Sequence, residues 1–99
     1  MQRFHLHLVS DATGETLSSV AKAALAQFED FDAMEHMHAM LRSTKQMELA
    51  LAAIQRTPGL VLYTLVDREL RTQLEEGCRA LGFLSIAVLD PVVDAFGRF

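Results

Sequence analysis

The chain has 99 residues, of which 51% are hydrophobic and 22% charged, a balance typical of one globular domain. Its net charge is −4 and its nine basic residues are scattered, which argues against nonspecific nucleic-acid binding because phosphates require a basic surface. No apolar run approaches the ~18 residues that a membrane span needs, and the first residues lack a signal-peptide pattern. The single cysteine, Cys78, excludes an internal disulfide and suits a reducing compartment, so we expect a cytoplasmic protein.

The first half of the chain predicts two strands, each followed by a helix. Residues 4–9 form a short apolar run that predicts a strand, and residues 10–14 have turn chemistry. The next apolar residues share one helical face: Leu17, Val20, Ala21, Ala24, Leu25 and Phe28. Residues 34–40 predict a second, more exposed strand. Ser43 and Gln46 then form a capping box at the start of a second helix, which a Pro-Gly pair ends.

The second half repeats this alternation. Residues 60–66 are apolar without a polar face, as expected of a strand that is covered on both sides. Asp67 is predicted to cap a third helix that ends at Gly82 and buries Leu70, Leu74, Cys78 and Leu81. Residues 83–89 predict a fourth strand. Asp90, as the cap, and a proline in the first turn predict a fourth helix.

This order of elements predicts an α/β fold. Four strands that alternate with four helices imply right-handed crossovers and a parallel four-stranded sheet between two helical layers, which is Rossmann- or flavodoxin-like. The second strand is the least apolar, so we place it at an edge and expect strand order 2-1-3-4. Phe96 and Phe99 stand in a fourth helix that has barely begun. We therefore expect residues 1–99 to be the N-terminal domain of a longer protein.

The loop after the first strand is the candidate binding site. Ligands of parallel sheets bind at the carboxyl ends of the strands where strand order switches, here between the first and third strands. The free N–H groups of a helix start attract anions, so the candidate anion or nucleotide contacts are Ser10, Asp11, Thr13, Gly14 and Thr16. Two acidic residues in the loop and the absence of a P-loop lysine oppose this. The alternative, which residue chemistry favours, is capping of the helix by Asp11 or Thr13.

Three aspartates follow predicted strands and so lie at the same edge of the sheet: Asp11, Asp67 and Asp90. Converging carboxylates hold Mg²⁺ or accept a phosphoryl group in some α/β proteins. Each of them also precedes a helix, where Asp is a preferred cap. Capping is the favoured interpretation, and no metal site is predicted.

The four histidines form two His-x-His pairs, His5/His7 and His36/His38. Each pair lies on one face of its strand, because side chains alternate along a strand. If the first two strands are neighbours, the four imidazoles lie close together. A transition-metal site is then one interpretation, and partly buried histidines at a helix cover or a subunit contact are the favoured one.

Other polar and sulfur-containing residues have structural interpretations. Cys78 is predicted to be a small core residue. The charged residues between positions 68 and 79 predict a solvated helix face. The methionines at 34, 37, 40 and 47 predict core or dimer packing rather than a cofactor site.

One long motif carries a family resemblance. The segment from Phe4 to Leu17, FHLHLVSDATGETL, closely resembles the opening of the pyruvate, phosphate dikinase regulatory proteins, whose sister group acts on phosphoenolpyruvate synthase. The resemblance recurs at residues 21–29, 58–66 and 88–91, so it covers essentially the whole chain. Ala12 departs from the family pattern, which has Ser there, and this departure removes a hydroxyl from the loop.

The resemblance implies a bifunctional serine/threonine kinase and phosphorylase. Such proteins inactivate the dikinase by ADP-dependent phosphorylation of a threonine, and they reverse this with inorganic phosphate, releasing pyrophosphate. ADP and phosphate are thus the expected cofactors, and the dikinase, or the synthase, is the expected partner. The family's nucleotide-binding P-loop lies in a later domain, so no catalytic residue is assigned to residues 1–99, which we expect to be inactive alone. The alternatives for this domain are a nucleotide- or phosphate-sensing module and a module for homodimerisation and target recognition.

Overall fold

The computed structural model describes residues 2–99, in which four strands alternate with four helices. The strands are β1 (Gln2–Ser10), β2 (Phe31–His38), β3 (Gly59–Thr64) and β4 (Ser85–Ala87), and the helices are α1 (Glu15–Leu25), α2 (Thr44–Arg56), α3 (Arg68–Leu81) and α4 (Asp90–Gly97). All strand pairs are parallel, and the strand order is β2-β1-β3-β4. The predicted fold class and strand order are confirmed.

The central strands have a buried cluster on each face. On one face, Leu6 and Leu8 of β1 pack with Leu17 and Ala21 of α1. The opposite face holds a larger cluster, contributed by β1, β3, α2 and α3: Val9, Val61, Tyr63, Met47, Ala50, Ile54, Leu70, Leu74 and Cys78, with Leu41 and Leu65. Burial of these side chains is the main favourable term holding the helices on the sheet. The arrangement is the predicted three-layer one.

Local sequence signals fix several helix ends. Ser43 caps α2, because its hydroxyl accepts the N–H of Gln46 at 3.1 Å. Asp67 caps α3 in the same way through the N–H of Leu70, at 2.9 Å. Gly82 ends α3 with φ +78°, a left-handed conformation that favours glycine. These three predictions are confirmed.

The cap of α4 differs from the prediction. Leu89 is the N-cap residue and supplies no side-chain acceptor, while Asp90 is the first helical residue. The Asp90 carboxylate instead binds the guanidinium of Arg71 on α3. An aspartate in the first turn still favours the helix through its dipole, but the prediction that Asp90 caps α4 is wrong.

Several element boundaries also differ from the sequence prediction, among them the end of β3, which is Thr64 rather than Val66. Helix α1 ends at Leu25, and Phe28 lies beyond it, stacked on Phe31 with ring centroids 4.4 Å apart. Strand β2 begins at Phe31, because β1 extends back to Gln2 and pairs with it there. The predicted fourth strand shrinks to three residues, since only these pair with β3. Among residues 2–99, no helix combines the length and apolarity needed to cross a bilayer.

Candidate functional site

The strand switch point lies between the carboxyl ends of β1 and β3, where Ser10 pairs with Thr64. Ser10 is buried, and its Oγ lies 3.2 Å from the Thr64 hydroxyl and accepts the N–H of Ala12 at 3.0 Å. The hydroxyl of Ser10 is therefore engaged within the fold. It fixes the exit of the chain from β1.

Asp11 joins the end of β1 to the start of α3. Its Oδ2 accepts the N–H groups of Val66 and Asp67 at 2.8 and 3.3 Å. A charged acceptor makes such bonds stronger than neutral ones. The carboxylate thus occupies backbone donors at the switch point that an anionic ligand would otherwise use.

Arg42 is a residue of this site that the sequence analysis missed. It follows β2 and donates from its guanidinium to the backbone carbonyl of Asp11. The nearby backbone is also tied to this loop, since Met40 and Leu41 donate their N–H groups to the carbonyls of Ala12 and Ser10. No short-range pattern marks Arg42, because its partner lies 31 positions earlier. Arg42 therefore places a positive charge against the backbone of this loop.

The start of α1 has no side-chain cap. Gly14 is its N-cap residue, with φ +86°, and a side chain there would also meet the sulfur of Met37. The Thr13 hydroxyl is 3.5 Å from the N–H of Glu15, at the outer limit of a hydrogen bond. The prediction that Asp11 or Thr13 caps α1 is therefore wrong, because Asp11 turns toward α3 and Gly14 takes the cap position.

The five predicted contact residues thus divide into two groups. Ser10 and Asp11 are engaged in bonds inside the fold. Thr13 and Thr16 are exposed, on either side of the buried Gly14. Ligand contact at these positions stays a prediction, and the exposed hydroxyls beside the uncapped helix start are its best-placed members.

A cleft of about 270 Å³ lies at the carboxyl ends of β3 and β4. Its polar lining comes from Tyr63, Thr64, Arg71 and Asp90, and α4 contributes Val93. The sequence predicts no role for this cleft. Its position is the usual one for ligands of α/β sheets, so its polar groups decide what it can do.

Those polar groups neutralise one another. Arg71 donates to both carboxylate oxygens of Asp90 and, at 3.1 Å, to Glu75, which also accepts the hydroxyl of Tyr63. Hydrogen bonding to Arg71 lowers the pKa of Asp90. Burial, and then Glu75, raise the pKa of Tyr63 to about 12. At neutral pH the cleft therefore holds a paired cation and a protonated phenol, which is a structural clamp rather than a phosphate site.

The predicted solvated face of α3 is confirmed for Arg68, Glu69, Glu76 and Arg79, which are exposed, and is wrong for the two residues of this network. Arg71 and Glu75 are each only 32% exposed in their side chains. Their spacing of four residues is the signal for a pair on one helix face. Asp90, 19 positions after Arg71, could not be assigned to that pair from spacing.

The histidines do lie together, as two hydrogen-bonded pairs across β1 and β2. His5 Nδ1 is 2.9 Å from His36 Nε2, and His7 Nδ1 is 3.0 Å from His38 Nε2. The ring of His36 also stacks on that of His7, with centroids 4.9 Å apart. Across residues 2–99, no group of three or more His, Cys, Asp or Glu side chains is placed to hold a metal ion. The rings bond to one another, which agrees with the packing interpretation.

The three aspartates at the sheet edge do not converge. Asp67 caps α3, Asp11 accepts N–H groups from the start of α3, and Asp90 pairs with Arg71. The capping prediction is confirmed for Asp67 alone. Each carboxylate is bound separately to backbone or guanidinium donors of the fold.

Known proteins similar to this chain identify its family, which the geometry of the site does not. The model of the kinase/pyrophosphorylase family matches residues 6–99. This chain belongs to that family. The match begins within β1 and runs through α4, so every element of the sheet and both helical layers fall inside it.

Among the relatives in the family are proteins named as pyruvate, phosphate dikinase regulatory proteins. The one from Caulobacter vibrioides is 52% identical over 97% of this chain and 30% of its own length. The one from Novosphingobium aromaticivorans is 55% identical over 96% of this chain and 34% of its own, and the Rhodospirillum rubrum protein is 53% identical over the same shares. The resemblance found in the sequence is confirmed. The chain spans about a third of the length of these relatives.

Proposed function

We propose that this chain is the N-terminal domain of a bifunctional regulator of pyruvate, phosphate dikinase. The regulator would use ADP to phosphorylate a threonine of the dikinase. It would reverse that step with inorganic phosphate, releasing pyrophosphate. Family membership over residues 6–99 carries the proposal, and the names of the relatives supply the target.

Within that protein, we assign the chemistry to polypeptide beyond residue 99. The sequence of residues 1–99 has no P-loop lysine motif, and the cation in the cleft, Arg71, is neutralised by two carboxylates. A phosphoryl-transfer site needs uncompensated positive charge around the phosphates. The role proposed for this domain is to recognise the target and to support the catalytic part.

The test compares residues 1–99 with the longer natural protein. Each is incubated with the dikinase and ADP, and phosphate on the target threonine is measured by mass spectrometry. We expect phosphorylation by the longer protein, its removal with pyrophosphate release when inorganic phosphate is added, and neither reaction with residues 1–99. ADP-dependent phosphorylation by residues 1–99 alone would contradict the placement of the chemistry. Phosphorylation of phosphoenolpyruvate synthase, with none of the dikinase, would overturn the target.

A second candidate function, nucleotide or phosphate sensing at the first loop, is supported by the start of α1. No side chain caps this helix, Thr13 and Thr16 are exposed there, and Arg42 lies against the loop backbone. A helix start with unsatisfied N–H groups favours an anion. Asp11 opposes it, since its carboxylate already occupies the donors of Val66 and Asp67.

Titration calorimetry with ADP, AMP, phosphate and pyrophosphate tests this candidate. Binding at the loop would give heat and a shift of the Gly14 amide resonance, and Thr16→Val would weaken it. Thr72→Val, at an exposed position on α3, is the matched control and should bind normally. Absence of heat together with an unmoved Gly14 resonance would reject the candidate.

A further inference from the structure

The apolar face of α4 is uncovered, unlike those of the other helices. Leu17 of α1, Met47 of α2 and Leu74 of α3 are fully buried, whereas α4 buries no residue at all. Phe96 is 74% exposed and Val93 is 58% exposed. An isolated exposed apolar side chain is ordinary, but a row of them on one helix marks an interaction surface.

The preceding strand, β4, also carries uncovered apolar side chains. It is the outer strand of the sheet on its side and pairs only with β3. Leu84, just before it, is 66% exposed, and Ile86 within it is 41% exposed. Only Val88 and Leu89 separate β4 from α4, so the exposed side chains of the two elements are close along the chain. We call this surface the β4–α4 face: Leu84, Ile86, Leu89, Val92, Val93 and Phe96.

The β4–α4 face is held in place rather than frayed. Asp90, in the first turn of α4, is bound through both carboxylate oxygens to Arg71 of α3. Arg71 is itself bound to Glu75 and lies over the ring of Tyr63, 5.5 Å from its centroid. A bidentate pair of this kind fixes direction as well as distance. The fold thus fixes the start of a helix whose apolar side chains it does not cover.

We propose that the β4–α4 face is the docking surface for the polypeptide that follows Phe99 in the longer protein. The relatives are about three times as long as the stretch they share with this chain, so a large partner is available. The face belongs to the last two elements of that stretch, so the following chain departs from it. A tethered partner binds at a high effective concentration. This favours the same polypeptide over a second copy.

This inference rests on the proposed place of the chain at the start of a longer protein, but not on the activity proposed for that protein. The downstream part would cover the β4–α4 face whether it is a kinase or has another activity. The unpaired edge of β4 offers backbone groups, and the apolar side chains beside it offer burial. The unpaired edge allows a partner to add a strand to the sheet, and the apolar side chains allow the partner to cover it.

Site-specific cysteine labelling in the longer natural protein tests the proposal. Phe96→Cys places a thiol in the β4–α4 face, and Leu49→Cys, on α2 at a position 64% exposed, is the matched control. The native Cys78 is buried and burial raises the pKa of its thiol, so it should stay unlabelled and report that this part is folded. Mass spectrometry follows the labelling of each peptide with iodoacetamide.

We expect Phe96→Cys to react at least ten-fold more slowly than Leu49→Cys, independently of protein concentration. In residues 1–99 alone, the two positions should react at similar rates if Cys78 stays protected. Equal rates in the longer protein would overturn the proposal. Protection that grows with protein concentration would also overturn it, in favour of a second copy, as would a natural reading frame that stops at Phe99.

Discussion

Gly59 is a residue at which the fold has no room for a side chain. It lies opposite His5 in the pairing of β3 with β1, and a methyl group there would collide with the backbone carbonyl of His5. A backbone atom in a parallel ladder cannot turn aside, as a side chain could. We expect Gly59→Ala to lower the free energy of unfolding by about 1–3 kcal/mol, the usual cost of overpacking. Urea denaturation followed by circular dichroism measures it.

Gly97→Ala is the control for that substitution. Gly97 has no atom within 4 Å of the added methyl group and no left-handed φ. Its change in the free energy of unfolding should stay within about 0.5 kcal/mol. Equal losses at the two glycines would show that the contact with His5 is not the cause.

The bonds of His7 determine how its ring is protonated. Its Nε2 lies 2.6 Å from the carbonyl of Thr57, which only accepts, so Nε2 carries the proton. In the neutral ring Nδ1 is then an acceptor, and His38 must donate to it from Nε2 across 3.0 Å. Charging both rings would place two donors against each other. The pair is therefore compatible with at most one proton beyond the neutral state.

This arrangement predicts an acid-sensitive stability. Burial, the largest cause, lowers the pKa of both His7 and His38 from the ordinary value of 6.5. The unfolded chain then binds more protons than the folded chain as pH falls below about 6.5, so the free energy of unfolding decreases. It should be constant above about pH 7. Urea denaturation at a series of pH values between 5 and 7.5 measures the slope.

His38→Gln should flatten that slope, because an amide that does not titrate can still donate to His7. Asp90 does not confuse the measurement, since Arg71 lowers its pKa from 3.8 and its charge is retained throughout this range. An unchanged slope in His38→Gln, or stability that rises as pH falls from 7 to 5, would contradict the assignment.

At the scale of elements, the pair formed by Arg71 and Asp90 joins α4 to the rest of the fold. Helix α4 buries no side chain, and this ion pair ties its first turn to α3. We expect Asp90→Asn to speed amide hydrogen exchange along α4 several-fold while α3 keeps its protection, because α3 packs through Leu70 and Leu74. Hydrogen exchange read by mass spectrometry reports both helices in one experiment.

Asp94→Asn, at an exposed position in the same helix, removes the same charge without touching the clamp. It should leave exchange in α4 near its original rate. If both substitutions loosen α4 equally, net charge rather than the contact with Arg71 is responsible. The same comparison in the longer protein should show a smaller effect if the β4–α4 face is covered there.

Helix and strand ends that are set by interactions over a few residues could be predicted from the sequence, whereas those set by contacts between distant segments could not. Ser43, Asp67 and Gly82 act on backbone groups a few residues away, so the ends they set can be derived from sequence. The length of β4 could not be derived in this way. Apolar content indicates a buried run of residues, but pairing with β3 determines which of these residues form the strand. Asp90 was assigned to a cap for the same reason, since its partner Arg71 belongs to another helix.

For the sheet as a whole, the strand order could be predicted from one comparison. The apolar content of β2 is lower than that of the other strands, which placed β2 at an edge. The proximity of the histidines then followed from strand order and alternation. The site itself was less predictable. The roles of Asp11 and Arg42 depend on contacts between segments more than 30 positions apart, and no periodic pattern connects such segments.

The two edges of the sheet differ, and this difference predicts how copies of the protein associate. If downstream polypeptide covers the β4–α4 face, β2 remains as the open edge, eight residues long and with Phe31, Met34 and Met37 about 40% exposed. The exposed apolar side chains of such an edge favour pairing with a copy of itself about a two-fold axis, while Asp32 and Glu35 of β2 oppose it. We expect the longer protein to form a dimer in sedimentation velocity, and Met34→Lys to shift it toward the monomer. Leu49→Lys, on α2 and away from either edge, should leave the dimer intact. A protein that stays monomeric at every concentration, or equal dissociation by the two lysines, would show that β2 is not the dimer contact.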